Sequence, residues 1–255
     1  MENMAFTAWC RAEQGKFVLQ RETRLFQDLL SAWPRRGHTM LHVGCGKDCF
    51  LHMFWEDGFD VTGLESDSRL LSELRSRLGS RIEFQLGQYD CLPYDDESFD
   101  YVVLPWALNL EPSARRGAVL AEAVRVAGKG VLLGFVNSWH ISGREGLPRL
   151  ANVSSMTPLA MFSLLRPWFS SCAPTVRSVL AGPYGSWRSG SFWKPWNNTV
   201  SYLPFGAFVG VRLDRRSMVP LTPLWLHAAS PAQEPSSCQA CTMSGGAMPA
   251  RSGRR

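Results

Sequence analysis

The stretch from Thr39 to Glu65, TMLHVGCGKDCFLHMFWEDGFDVTGLE, constrains this chain more than any other. Met40 to Val43 is a short, mostly apolar run that stops at Gly44-Cys45-Gly46, and Phe50, Leu51, Phe54 and Trp55 follow at helical spacing. That order reads as strand, tight turn and helix. Asp57-Gly58 marks a second turn, and Phe59 to Leu64 a second apolar strand ending on the carboxylate of Glu65. Two glycines let the backbone approach a ligand without a Cβ clash, and the N–H groups opening the helix face the same point. Glu65 follows Gly46 by nineteen residues, the position from which a carboxylate at a strand tip holds a ribose diol by two hydrogen bonds. The glycine pair taken alone also suits an ordinary strand-to-helix turn.

A more specific series comes next. Glu65 leads into a helix-like SDSRLLSELRSRL and then into IEFQLGQYDCLPYDDESFDYVVLPWALNL. Within it stand Gly87-Gln88-Tyr89, Leu92-Pro93, Asp96, Ser98-Phe99-Asp100 and Ala107-Leu108-Asn109, followed by Glu122, Arg125-Val126 and Gly128-Lys129-Gly130. From residue 38 to residue 136 this order resembles the class I S-adenosylmethionine-dependent methyltransferases. The likeness is strongest to the type 11 family typified by the ubiquinone and menaquinone biosynthesis enzymes. The resemblance implies an α/β fold, a Rossmann-like doubly wound sheet of seven mostly parallel strands with the last antiparallel. It implies S-adenosylmethionine as cofactor, with Gly44, Cys45 and Gly46 around the methionine portion, Glu65 on the ribose hydroxyls, and Gln88 and Tyr89 beside the adenine. His42 stands where the family has an acid, ordering backbone and water near the amino-acid end. Asp48 replaces the family's third glycine. Gln88 replaces the acid that receives the adenine amino group, and its side-chain carbonyl accepts the same hydrogen bond.

Composition sets the frame around these motifs. A chain of 255 residues with 45% hydrophobic content can bury one sizeable core. No apolar stretch approaches the ~18 residues that span a bilayer, and Glu2, Arg11, Glu13 and Lys16 occupy the region where a signal peptide needs an apolar core. The expectation is a cytoplasmic protein. A net charge of +5 without a dense Lys/Arg cluster does not call for nucleic acid, so a small-molecule partner is expected. The seven cysteines, Cys10, Cys45, Cys49, Cys91, Cys172, Cys238 and Cys241, are odd in number and scattered, unlike a disulfide framework. Cys238 and Cys241 have the spacing of half a zinc site or a redox pair, but no second Cys/His pair accompanies them, and no metal is expected.

Residues 1–36 read as an N-terminal helical cap that Pro34 ends, with Val18, Leu25 and Leu29 on one side. Residues 37–216 form the catalytic domain. Tyr101 to Leu104 and Val131 to Val136 are its fourth and fifth strands. Thr157-Pro158 is an N-cap with a proline at the first helical position, Pro174 to Pro183 a sixth strand, and Val200 to Leu213 the last. An aromatic insertion at about 184–199 carries Trp187, Trp193 and Trp196. Residues 217–255, rich in Ser, Pro, Ala and Gly, read as a disordered tail. Alternating strands and helices call for a parallel sheet covered on both faces.

Methyl transfer rests mostly on holding a nucleophile in line and keeping water out, with a general base required for a protonated acceptor. His140, past the fifth strand, is the candidate base, and Asn109, past the fourth, a candidate positioning group. Trp106, Trp139 and Trp193 are candidates for an aromatic acceptor pocket at the carboxyl edge of the sheet. Asp96 and Asp100 read as loop-ordering carboxylates, and Glu122 with Arg125 as a helix-surface pair. Two other classes remain. A nicotinamide enzyme wants a third glycine where Cys49 stands. A degenerate methyltransferase fold would bind a ligand or partner without turnover.

Overall fold

In the computed structural model the described residues are 12–46, 50–139, 154–180 and 199–215. The elements in chain order are α1 (Glu13–Leu30), β1 (Thr39–Val43), α2 (Leu51–Glu56), β2 (Asp60–Glu65), α3 (Ser68–Leu78), β3 (Glu83–Leu86), β4 (Phe99–Leu104), α4 (Ala107–Leu110), α5 (Arg116–Val126), β5 (Ala127–Val136), α6 (Pro158–Leu165), β6 (Cys172–Val179) and β7 (Phe208–Arg215). The seven strands lie in the order β3-β2-β1-β4-β5-β7-β6. β1 pairs parallel with β2 and β4, and β4 parallel with β5. β7 runs antiparallel to both β5 and β6. It is therefore the single reversed strand, and the doubly wound, mostly parallel sheet expected from the sequence is present.

Strand alternation divides the core between the two faces, because successive side chains of a strand point to opposite sides. Leu41 and Val43 of β1 join Val102, Leu104, Val131, Leu133 and the α5 residues Val119, Leu120 and Ala123. Met40 joins Val103, Leu132 and Phe208 beneath α1, α2 and α3, with Leu25, Phe26, Leu51, Phe54 and Leu71. α1 buries Val18, Leu25, Phe26, Leu29 and Leu30, the stripe that a 3.6-residue period brings to one side. It lies so close to β7 that a Cβ at Gly210 would stand 2.7 Å from Leu29 Cδ1. Helix starts are fastened locally. Asp67 accepts from Arg69 N at 2.8 Å ahead of α3, and Thr157 Oγ1 accepts from Ala160 N at 3.0 Å ahead of α6, whose first residue is Pro158.

Two boundaries differ from the expectation. The sixth strand begins at Cys172, two residues early, and ends at Val179. The last begins at Phe208 rather than Val200. Before it, Ser201 makes a single antiparallel bridge to Ser178, and the Ser178 hydroxyl then takes Gly206 N and donates to Leu203 O. Pro204 has no N–H to carry a ladder through that bend. The expected aromatic insertion, and the expected tail at 217–255, lie outside the described residues.

Among the described residues no helix is long and apolar enough to cross a membrane.

Candidate active site

β1 ends where Gly44 turns the chain with φ of +74°, a left-handed conformation that glycine adopts without strain. Gly44 N donates to Leu64 O at 2.9 Å and Cys45 N to the same carbonyl at 3.3 Å, which brings the turn against the tip of β2. There Gly46 N donates to Glu65 Oε2 at 2.7 Å. Any side chain at position 46 would collide with that carboxylate, since a Cβ would fall 2.4 Å from Oε2. The two glycines and the acid picked out in the sequence thus form one cluster.

Glu65 is 4% exposed, and its two oxygens are used unequally. Oε1 accepts from Ser66 N at 2.8 Å, Ser66 Oγ at 3.2 Å, Asp67 N at 3.2 Å and Tyr89 Oη at 2.7 Å. The described contact on Oε2 is that from Gly46 N. A carboxylate oxygen offers about two lone-pair sites, so Oε2 keeps acceptor capacity while Oε1 is saturated. Tyr89 itself is buried, and its Cζ lies 3.6 Å from where a Cβ would stand on Gly44. Burial first, then the Glu65 charge, pushes its hydroxyl well above the ordinary tyrosine range, so it stays a neutral donor. Gln88 beside it is exposed, and Gly87 N donates to Glu65 O at 3.1 Å.

His42 is buried on β1, edge-on to Phe54 with ring centroids 5.5 Å apart. Its Nδ1 is closed off from solvent without a hydrogen-bond partner, and burial pulls its pKa down to about 3. It is a neutral imidazole at neutral pH. Asn109 is also buried, but its amide is committed: Nδ2 donates to Ser154 O at 2.8 Å, and Oδ1 accepts from Val136 N at 3.4 Å. It ties the end of β5 to the segment entering α6. Trp106 is buried after β4 and donates from Nε1 to Glu22 Oε2 of α1 at 3.3 Å, so α1 reaches over the carboxyl edge here. Trp139, past β5, is 56% exposed. His140 and Trp193 lie outside the described residues, as do Trp187, Trp196, Cys238 and Cys241.

Arg125 does more than the helix-surface pairing expected of it. It grips Glu122 through Nε and Nη2 at 2.8 and 2.7 Å, and it donates to Tyr94 O, Leu92 O and Asp96 Oδ1. Glu122 Oε2 also accepts from Leu92 N at 2.8 Å. The pair clamps the 92–96 loop, and the contact described for Asp96 is with the Arg125 guanidinium rather than with loop N–H groups. The i, i+3 spacing in the sequence gives no hint of a partner thirty residues away.

A family described as a methyltransferase domain matches residues 41–135. A curated relative, the demethylmenaquinone methyltransferase of Renibacterium salmoninarum, is 28% identical over 161 residues, covering 58% of this chain and 67% of its own. Among solved structures, an S-adenosylmethionine-dependent methyltransferase of Thermotoga maritima, described as a possible histamine N-methyltransferase, superposes with a TM-score of 0.61 at 20% identity. It covers 79% of this chain and 91% of its own. The magnesium protoporphyrin IX methyltransferase of Synechocystis, solved with bound S-adenosylmethionine, gives a TM-score of 0.57 at 12% identity, covering 82% and 90%. Both structural likenesses are of fold. Residues 41–135 match the methyltransferase-domain family, and the chain has the fold seen in class I S-adenosylmethionine-dependent methyltransferases.

Proposed function

We propose that the chain binds S-adenosylmethionine at the carboxyl edge of β1 and β2 and directs its methyl group in line to a small-molecule acceptor. The observation that carries this reading is the Glu65 carboxylate joined to Gly46 N at 2.7 Å at the mouth of the glycine turn, inside a methyltransferase domain. The donor set fits a nucleoside: Oε2 retains acceptor capacity for a ribose hydroxyl, and the Gly44 turn brings backbone rather than side chains to that point. When bound, the cofactor supplies an electrophilic methyl group on a sulfonium that is its own leaving group.

The chain's part is then to bind, orient and exclude water. Glu65 and the Gly44-Cys45-Gly46 turn fix the nucleoside, with Gln88 and Tyr89 at its base. Trp106, held by Glu22, closes the edge above β4. Trp139 and Trp193 are assigned to the acceptor side, where aromatic faces line most small-molecule pockets. His140 is assigned as base for a protonated acceptor. Asn109 keeps a supporting part, holding Ser154 and β5 together under that edge. The sequence relative is named for demethylmenaquinone, a small molecule, which supports an acceptor of that size.

Calorimetry with S-adenosylmethionine tests the reading. The parent should bind, and Glu65→Ala should bind more than tenfold more weakly, because hydrogen bonds to a charged acceptor are worth roughly 1.5–3 kcal/mol each. A melt of each protein, with Glu65→Gln as an isosteric control, separates lost contacts from lost fold. If folded Glu65→Ala matches the parent, the assignment is wrong. Cell extracts incubated with cofactor and protein should then yield a compound that gains a methyl mass, whereas a fold that binds without turnover yields none.

A further inference from the structure

The unequal use of the two Glu65 oxygens leads beyond cofactor binding itself. We propose that Tyr89 competes with the ribose for Glu65, so that this tyrosine sets how tightly the chain holds its nucleoside and how strongly it distinguishes ribose from deoxyribose. The inference rests on the reading above.

A diol held at two points by a carboxylate needs one lone pair from each oxygen, or two from one. Oε2 has room beside Gly46 N, but Oε1 carries four donors, of which three, from Ser66 and Asp67, belong to the two residues after Glu65 and are built into the turn. Tyr89 Oη is the fourth, at 2.7 Å, and it comes from 24 residues away on a separate loop. It is the closer of the two side-chain donors on Oε1, the other being Ser66 Oγ at 3.2 Å, and neither is part of the backbone of β2. The ring also stands beside the glycine turn, with Cζ 3.6 Å from where a Cβ would lie on Gly44, so its hydroxyl reaches the carboxylate from the side of that turn. Full two-point engagement of the ribose is then an exchange on Oε1, a ribose hydroxyl taking the place that Tyr89 Oη holds. Until that exchange, one hydroxyl is accepted and the second is not.

Removing the hydroxyl alone tests this. Tyr89→Phe keeps the buried ring, and Tyr89→Leu is a second apolar replacement should phenylalanine pack poorly; melts confirm the fold of both. Titrated with S-adenosylmethionine, Tyr89→Phe should bind about tenfold tighter than the parent, the equivalent of one charge-assisted hydrogen bond no longer to be broken. The ratio of affinities for adenosine over 2′-deoxyadenosine should also widen, a change that a purely structural tyrosine would not produce. Binding by the folded Tyr89→Phe and Tyr89→Leu proteins that equals or falls below a binding-competent parent, with an unchanged ribose ratio, overturns the competition while leaving the cofactor site intact. Binding by neither parent nor variants overturns the cofactor reading, and this inference with it. Binding by the variants and not by the parent is its strongest support.

Discussion

The two edges of the sheet handle polar groups in opposite ways. At the amino edge, where β1, β4 and β5 begin, side-chain charges satisfy one another. Asp100 takes Thr39 N and His38 Nδ1 at 3.0 Å and Lys129 Nζ at 2.7 Å, and its own N donates to Thr39 Oγ1. Nearby Trp33 stacks on Tyr101 at 4.1 Å and donates to Asp214, which Arg212 also holds, while Arg215 pairs with Glu97. At the carboxyl edge Glu65 is held by backbone N–H groups and a neutral phenol instead. A carboxylate neutralised by a cation has little left to offer a ligand. One held by neutral dipoles keeps its charge unspent, and a ligand's hydroxyl can exchange for a hydroxyl of the chain. Closed ion pairs leave no site open for exchange, whereas the neutral cluster around Glu65 does.

If the amino edge is structural alone, the largest effect belongs there. Trp33→Ala should lower stability by about 3–5 kcal/mol, the cost of truncating a buried aromatic, read from urea unfolding. S-adenosylmethionine affinity of the folded protein should not change. A parallel loss of affinity would show the two edges to be coupled.

His42 lies between the edges and gives the next largest effect. Burial holds its pKa at about 3 against an ordinary 6.5, so the unfolded chain takes up a proton that the folded chain refuses. Stability from this residue is full above pH 6.5 and is lost as pH falls toward 3, at about 1.4 kcal/mol per pH unit. In His42→Met the difference in unfolding free energy between pH 7 and pH 5 should shrink by about 2 kcal/mol. An unchanged difference would place the acid sensitivity elsewhere.

The smallest effect is that of Asp100. Burial alone would raise its carboxyl, but hydrogen bonds from Lys129, His38 and Thr39 N outweigh burial and hold it below its ordinary value. Its contribution is therefore present above about pH 4 and lost as pH falls through the lower folded value. Asp100→Asn should flatten stability against pH in that acid window and leave cofactor affinity untouched. A change in affinity would erase the distinction between the edges.

The order of β1, glycine turn, α2, β2 and Glu65 was legible in the sequence because each piece is local. Apolar runs of a few residues, a pair of glycines and a strand-tip acid declare themselves within thirty positions, and alternation assigns Met40 and Leu41 to opposite faces before any contact is known. Caps such as Thr157 and Asp67 act within three residues, so they too can be read directly. What the tertiary structure decided are pairings that span the chain: Tyr89 on Glu65, Glu22 on Trp106, Asn109 on Ser154, and Arg125 on the 92–96 loop. Residue types indicate that a buried amide, phenol or guanidinium needs a partner, but not which one, since that depends on how strands far apart in sequence come into register. The same reason explains why the partners of Asn109, a candidate positioning group past β4, could not be read from the sequence. Sequence alone determined that a glycine turn and a strand-tip acid close the first two strands; packing determined which of their hydrogen bonds were already taken.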